Sequence, residues 1–382
     1  MSHNVQLTSS FYKAVESKSN KEFMALASKL SKEDCIADPF SMLEIKRAFE
    51  SGSCRYSRDK NFNNFLIYGY WKALFPDVEF DEVCALPAIE HGLILANDVY
   101  EEIVLTGRCT AVTFGTYRQQ VIREKAKIPA FAVGPYVQYA QPFYDENRLK
   151  EERTKLGKTL LVFPSHSTDD SEVKRDVNRQ IAQIHEIESN FDTVLISVFW
   201  WDIDNPMVDA FIAEGYKIVT AGFRDDPSFV SRQRTIIELS DQVLSDGIGT
   251  HVGFCRALSR PVKLMEETSK KTYGSWINKR QASMSAATNS IKAGISELGS
   301  ANERKMLDHY WGCNIKLEKD ELHAIKQISK DITARSRGFK SHAWDVSKSL
   351  INEYLKNGET AKATLLMNAM DVNNEQVHPE LK

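Results

Sequence analysis

Between residues 159 and 265 short apolar runs alternate four times with stretches of helical length, and no other feature limits the fold as tightly. The runs at 159–167, 193–202, 216–222 and 242–246 are rich in β-branched and aromatic residues, so they read as strands. Helices are predicted at 172–190, 206–214 and 228–239; Gly247, Ile248, Gly249 and Thr250 then lead into a fourth, ending near Ser259, before a last strand at 261–265. Val173, Val177, Ile181, Ile184 and Ile187 fall on one face of the first helix. Each helix must carry the chain back to the same edge, which forces parallel pairing and predicts a doubly wound sheet. Ligands of such sheets lie at the carboxyl ends of the strands. Here those ends are residues 165–167, 200–202, 222–226 and 247–251.

The first part of the chain is less regular. Residues 1–60 read as polar and helical, with short amphipathic pieces at 23–26 and 42–45. From Phe65 onward, apolar runs broken by Gly and Pro, at 65–71, 83–95, 109–117 and 128–136, fit buried strands, with a helical segment at 117–127. The charged run 145–158 reads as a linker or an exposed helix, and the polar sequence after Ser275 as a helical C-terminal region. The last dozen residues are expected to fray. The expectation is an α/β chain of two Rossmann-like domains, 1–150 and 151–270, followed by helices at 271–382.

Composition narrows the function classes. With 382 residues, 42% of them apolar, the chain can bury a sizeable core, and its formal charge of -3 leaves no polyanion footprint, so nucleic acid is not an expected partner. Neither a signal-peptide core nor the roughly 20 apolar residues of a membrane span occurs, so a cytoplasmic location is expected. Lys270 and Lys271, with Trp276, Lys279 and Arg280, leave peripheral attachment to the inner face of the plasma membrane open beside a solvated face. The six cysteines are scattered without metal-ligand or disulfide spacing and read as reduced thiols.

Several strand ends carry chemistry. Gly247 and Gly249 remove side chains where a ligand approaches backbone, the helix that follows offers unpaired N–H groups, and Thr250 and His251 add a hydroxyl and an imidazole. The same residues also suit an ordinary turn capped by Thr250. Ser165, His166 and Ser167 can bind a phosphate or a sugar, or cap the next helix together with Thr168 and Asp169. Phe223 can stack on a nucleobase and Arg224 can neutralise a diphosphate, unless Arg224 pairs with an aspartate in the turn. One of Trp200 and Trp201 is expected in the core and the other on a cleft wall. Asp202 and Asp204 form a DxD triplet that leads into Asn205 and Pro206, where capping is the expected role. In the first half, Glu90 and His91 place an acid and an imidazole beside Gly92, as a general base requires, and a structural histidine fits equally. The strand ends at Gly115 and Gly134 are further candidates for a cleft lining.

These residues resemble the GT-B glycosyltransferases of bacterial surface-polysaccharide assembly, among them the teichoic-acid and capsule transferases. Glu90-His91-Gly92 matches the first-domain His-Gly of that group; Ser240-Asp241, Gly249-Thr250 and Arg260-Pro261 match its second-domain donor motifs. Gly249-Thr250 stands where the group carries paired serines, and Phe254 where many members carry an acid that holds the donor. The resemblance implies an acceptor-side first domain and a donor-binding second one. A sugar would pass from a nucleotide-activated donor to a saccharide acceptor in capsule or lipopolysaccharide synthesis. His91 or Glu90 would act as base, and Ser165, His166, Ser167, Phe223, Arg224, Gly247, Gly249, Thr250 and His251 would hold the donor. It implies no metal and no cofactor, the nucleotide sugar being a substrate, and it admits polysaccharide-assembly proteins as partners. A nucleotide-sugar 2-epimerase of the same shape, or a non-catalytic nucleotide-sugar-binding partner, would use the same pocket. No GxGxxG follows any strand, which disfavours an oxidoreductase.

Overall fold

A computed structural model describes residues 18–51, 67–78, 86–100, 103, 106–167, 171–266, 268–273, 281–295 and 299–372. Thr168, Asp169, Trp276, Lys279, Arg280, Cys54, Cys84 and most of the final dozen residues lie outside them. The chain is mixed α/β, with two parallel sheets and a helical C-terminal region.

The larger sheet is the one that the alternation predicts. Its strands are β4 (Thr159–Phe163), β6 (Thr193–Ser197), β7 (Lys217–Val219), β8 (Gln242–Ser245) and β9 (Val262–Leu264), all parallel, in the order β7-β6-β4-β8-β9. The central strand β4 is buried at all five positions, as a strand covered on both faces must be. The smaller sheet holds β1 (Ala88–Ile89), β2 (Ala111–Thr113) and β3 (Ala130–Ala132), parallel and in chain order.

Helices α1 (Lys18–Leu30) and α2 (Met42–Glu50) precede both sheets and lean on the larger one: Phe49 of α2 meets Phe223 and Trp200, and Arg232 donates to the Leu30 carbonyl at 2.6 Å. Of the apolar run at 65–71, the described part from Ile67 onward is not a strand. Tyr68 and Gly69 both have left-handed φ (59° and 62°), and helix α3 (Tyr70–Leu74) follows. A Cβ on Gly69 would stand 2.2 Å from the Pro227 carbonyl oxygen, so tertiary packing overrides the local preference here. Helix α4 (Thr116–Ala126) follows β2. The charged run 145–158 forms α5 (Glu146–Leu156), capped by Asp145 and anchored through Arg153, which reaches Asp241 at 2.7 Å and the Glu238 carbonyl at 2.5 Å.

The helix expected from 172 begins later. Residues Ser171–Arg175 form β5, which pairs antiparallel with β10 (Ser269–Tyr273), and only Val177–Glu188 is helical (α6). Asp176 starts that helix, its carboxylate accepting from the Arg179 amide at 3.0 Å. The larger sheet is completed by α7 (Pro206–Ala213), α8 (Phe229–Glu238) and α9 (Thr250–Ala257).

Helices α10 (Gln281–Ile295), α11 (Ala301–Trp311), α12 (Lys319–Arg335), α13 (Lys340–Lys356) and α14 (Thr360–Met370) finish the chain. They pack against the smaller sheet. Helix α14 packs on β3, and Thr110 donates to Ser329 of α12 at 2.8 Å. The last turn of α11 and the residues after it wedge against strand ends of the smaller sheet: a Cβ on Gly115 would lie 2.5 Å from the His309 carbonyl oxygen, and one on Gly134 2.2 Å from that of Ile315. Among the described residues no helix is long and apolar enough to cross a membrane.

Candidate functional site

Strands β4 and β8 are neighbours, and the chain departs from them in opposite directions, so the loops beyond their carboxyl ends leave a crevice. A cavity of about 700 Å³ lies there, within the size range of small-molecule sites. Its walls include the loops after β4, β6, β7 and β8, the segment after β1, the start of α3, part of α8, and Thr288 and Lys292 of α10.

Buried carboxylates hold the crevice in shape. Asp246 accepts from the Ser165 amide at 3.1 Å, from Gln180 at 2.8 Å and from the Thr268 hydroxyl, which ties the loops after β4 and β8 together. The Ser165 hydroxyl donates to the Asp246 carbonyl and accepts from Ser269, both at 3.0 Å. Asp202 pairs with Arg175 and accepts from the Ser167 amide at 2.8 Å, while the Ser167 hydroxyl accepts from the Val173 amide at 3.2 Å. Asp204 pairs with Lys46, and Asn205 caps α7. The DxD triplet is thus engaged within the protein. Among the described residues no group of three or more His, Cys, Asp or Glu could hold a metal ion.

The start of α9 faces the cavity. Gly249 is its N-cap residue, with no side-chain cap, and among the described residues the amides of Gly249, Thr250 and His251 meet no acceptor. A Cβ on Gly249 would stand 2.9 Å from the His251 ring, whereas one on Gly247 would make ordinary contact with Ser165 at 3.5 Å. Of the two glycines, Gly249 is the one the packing requires. The Thr250 hydroxyl accepts from the Leu93 amide at 2.9 Å, and its own proton meets no acceptor among the described residues. That bond seats His91 and Gly92, on the segment after β1, against the head of α9.

His251 stacks on Phe163 with centroids 4.6 Å apart, and its Nε2 lies 2.6 Å from Ser245 Oγ. Ser245 Oγ also donates to the Gly247 carbonyl at 2.7 Å, which leaves it to accept from an Nε2–H and leaves Nδ1 as a lone pair. Burial pushes the imidazole down to about 4, so it is neutral at pH 7.

Glu90 is occupied. Arg118 meets its carboxylate through Nη2 at 2.6 Å and Nε at 3.0 Å, and Thr113 donates to it at 2.5 Å; both partners of the ion pair are fully buried. With its lone pairs engaged by a fixed cation, this carboxylate orders the segment, and His91 is the base candidate that remains. His91 is half-buried on the cavity wall.

Of the residues singled out in the sequence, Glu90, His91, Ser165, His166, Gly247, Gly249, Thr250 and His251 line this one cavity; Ser167, Phe223 and Arg224 do not. Phe223 is buried against Trp200 at 4.8 Å and Phe49 at 5.1 Å, so it presents no face to a nucleobase. Arg224 lies 3.6 Å from Asp225, and its carbonyl accepts from the Tyr68 amide at 2.6 Å. Trp200 is core and Trp201 lies under Lys46, and neither lines the cavity; their neighbour Phe199 does, edge-on to His166 at 4.5 Å. Gly115 and Gly134 are blocked by the last turn of α11 and the residues after it. Sequence reasoning missed Tyr68, Phe229, Gln233 and Lys292, which reach the cavity from elements with no local ligand signature. Burial raises the thiols of Cys35 and Cys109 to about 11 and that of Cys313 to about 12, so none is a ready nucleophile. Comparison with protein-family models, with curated proteins and with solved structures returns no match.

Proposed function

We propose that the protein is a glycosyltransferase of the GT-B arrangement, two Rossmann-like halves facing across a cleft. It transfers a sugar from a nucleotide-activated donor to a saccharide acceptor of a surface polysaccharide. The observation that carries this reading is the bond from the Leu93 amide to Thr250, which joins a histidine on one half to an uncapped helix start on the other. An anion needs the helix start, and a hydroxyl nucleophile needs the histidine. The nature of the acceptor rests on the resemblance of the motifs.

In this mechanism the acceptor hydroxyl attacks the anomeric carbon of the donor and gives its proton to His91. The bond from that carbon to the phosphate oxygen breaks, and the leaving phosphate takes the electron pair. The amides of Thr250 and His251 and the Thr250 hydroxyl face the charge that develops there. This account calls on no metal. Arg118, through Glu90, keeps the segment carrying His91 in place.

Thermal melting of the chain with CMP, CDP, UDP and GDP tests the pocket. At least one nucleotide is expected to raise the midpoint of the wild type, and Thr250→Val is expected to abolish most of that shift. His91→Asn should keep the shift and lose the slow release of nucleotide from the matching nucleotide sugar. If no nucleotide moves the melting of the wild type, the reading fails. Conversion of the donor sugar without acceptor, in place of transfer, would instead mark an epimerase.

A further inference from the structure

We infer that Lys292 of the C-terminal helical region is a phosphate-binding residue of the same cavity, so that a third element completes the donor site. The inference rests on the transferase reading and specifies it. Helix α10 packs against β9 and α11, and this brings Thr288 and Lys292, one turn apart, to the cavity wall. Thr288 spends its hydroxyl proton on the Met284 carbonyl at 2.7 Å, whereas the Lys292 ammonium has no hydrogen-bond or ion-pair partner among the described residues.

Three buried arginines near the crevice are already matched. Arg175 is paired with Asp202, Arg118 with Glu90 and Arg232 with Asp226. Among the described residues Glu90 is the one carboxylate on the wall, and Arg118 neutralises it. Among the described residues the cavity wall therefore carries one exposed, uncompensated ammonium and the uncapped start of α9, with no free carboxylate to satisfy either. A ligand bearing a phosphate or diphosphate supplies that charge to the amides and to the ammonium alike. An uncharged sugar or nucleoside does not.

Isothermal titration with the best-binding nucleotide of the melting screen, and with its nucleoside as the uncharged control, tests the assignment. Lys292→Gln is expected to weaken nucleotide binding about threefold to fivefold and leave nucleoside binding unchanged, as loss of one solvent-exposed charge contact would. Lys292→Arg should recover most of the loss, and the gap between wild type and Lys292→Gln should narrow with added salt. Wild-type nucleotide affinity in Lys292→Gln would overturn the assignment, as would an equal loss of nucleoside binding, which would mean a role in shape. If Thr250→Val abolishes nucleotide binding while Lys292→Gln does not, this assignment alone fails. If the wild type binds no nucleotide, both fall.

Discussion

The fit of Trp311 against Gly253 makes the strongest stability prediction. Gly253 lies in α9, and a Cβ there would stand 2.0 Å from Trp311 Cδ1, 2.3 Å from Cγ and 2.7 Å from Cβ. Carbon atoms rest about 3.5–4.0 Å apart, so the ring would have to retreat by more than an ångström. It has nowhere to go, because Trp311 is fully buried and its Nε1 donates to the Gly249 carbonyl at 3.1 Å. Overpacking of this kind costs about 1–3 kcal/mol, and loss of the indole bond adds about 1 kcal/mol. The gain in helix propensity from Gly to Ala offsets about 1 kcal/mol, so Gly253→Ala is expected to destabilise the chain by about 1–3 kcal/mol. Gly294 in α10 is the internal control: a Cβ there meets Met306 Cγ at 2.5 Å, but a methionine chain can turn aside. Urea unfolding should give a lower midpoint for Gly253→Ala and little change for Gly294→Ala. In a Trp311→Phe background, the added cost of Gly253→Ala should shrink. Equal costs at the two glycines, or an unchanged cost with Phe at 311, would refute the argument.

Two further outcomes follow from buried charge. Glu90→Gln leaves the Arg118 guanidinium buried without its counterion and is expected to cost about 3–5 kcal/mol in urea unfolding; a loss below about 1 kcal/mol would mean that the pair is not what fixes this segment. The His251 imidazole is held down to about 4 in the fold, against about 6.5 for an unfolded chain, so below pH 6.5 the unfolded state binds the extra proton. Its contribution is complete above that pH and is lost as pH falls towards 4, on the order of 3 kcal/mol in all; His251→Phe should lack this part of the acid decline, and matching pH profiles would contradict it.

Much of the larger sheet was legible because its strands are nearly continuous apolar runs set between helices, which leaves few arrangements. The exception, β5, shows how spacing misleads. Val173 stands four residues before Val177 and so fits the helical stripe, yet Glu172 and Lys174 flank it in the alternation of a strand, and Asp176 is a ready N-cap. At Phe223 the strand end was legible, but the direction of the side chain depends on Phe49, far away in the chain. Lys292 was invisible for the same reason. On its own helix it is one more basic residue, and only the docking of α10 gives it a cavity to face.

Glycine at a strand end carries two opposite meanings in this chain. Gly249 leaves room for the His251 ring at the head of α9, and the amides beside it meet no acceptor among the described residues. Gly115 and Gly134 follow β2 and β3, where a ligand would be sought by the same rule, yet the turn at Gly312 fills the space that a side chain would take. Among the described residues the smaller sheet therefore opens to the cavity only after β1, through the segment that bears His91. On the transferase reading, this confines the acceptor hydroxyl to the one loop that Thr250 already holds, and the C-terminal helices act twice: they close the unused strand ends and present Lys292 to the cavity.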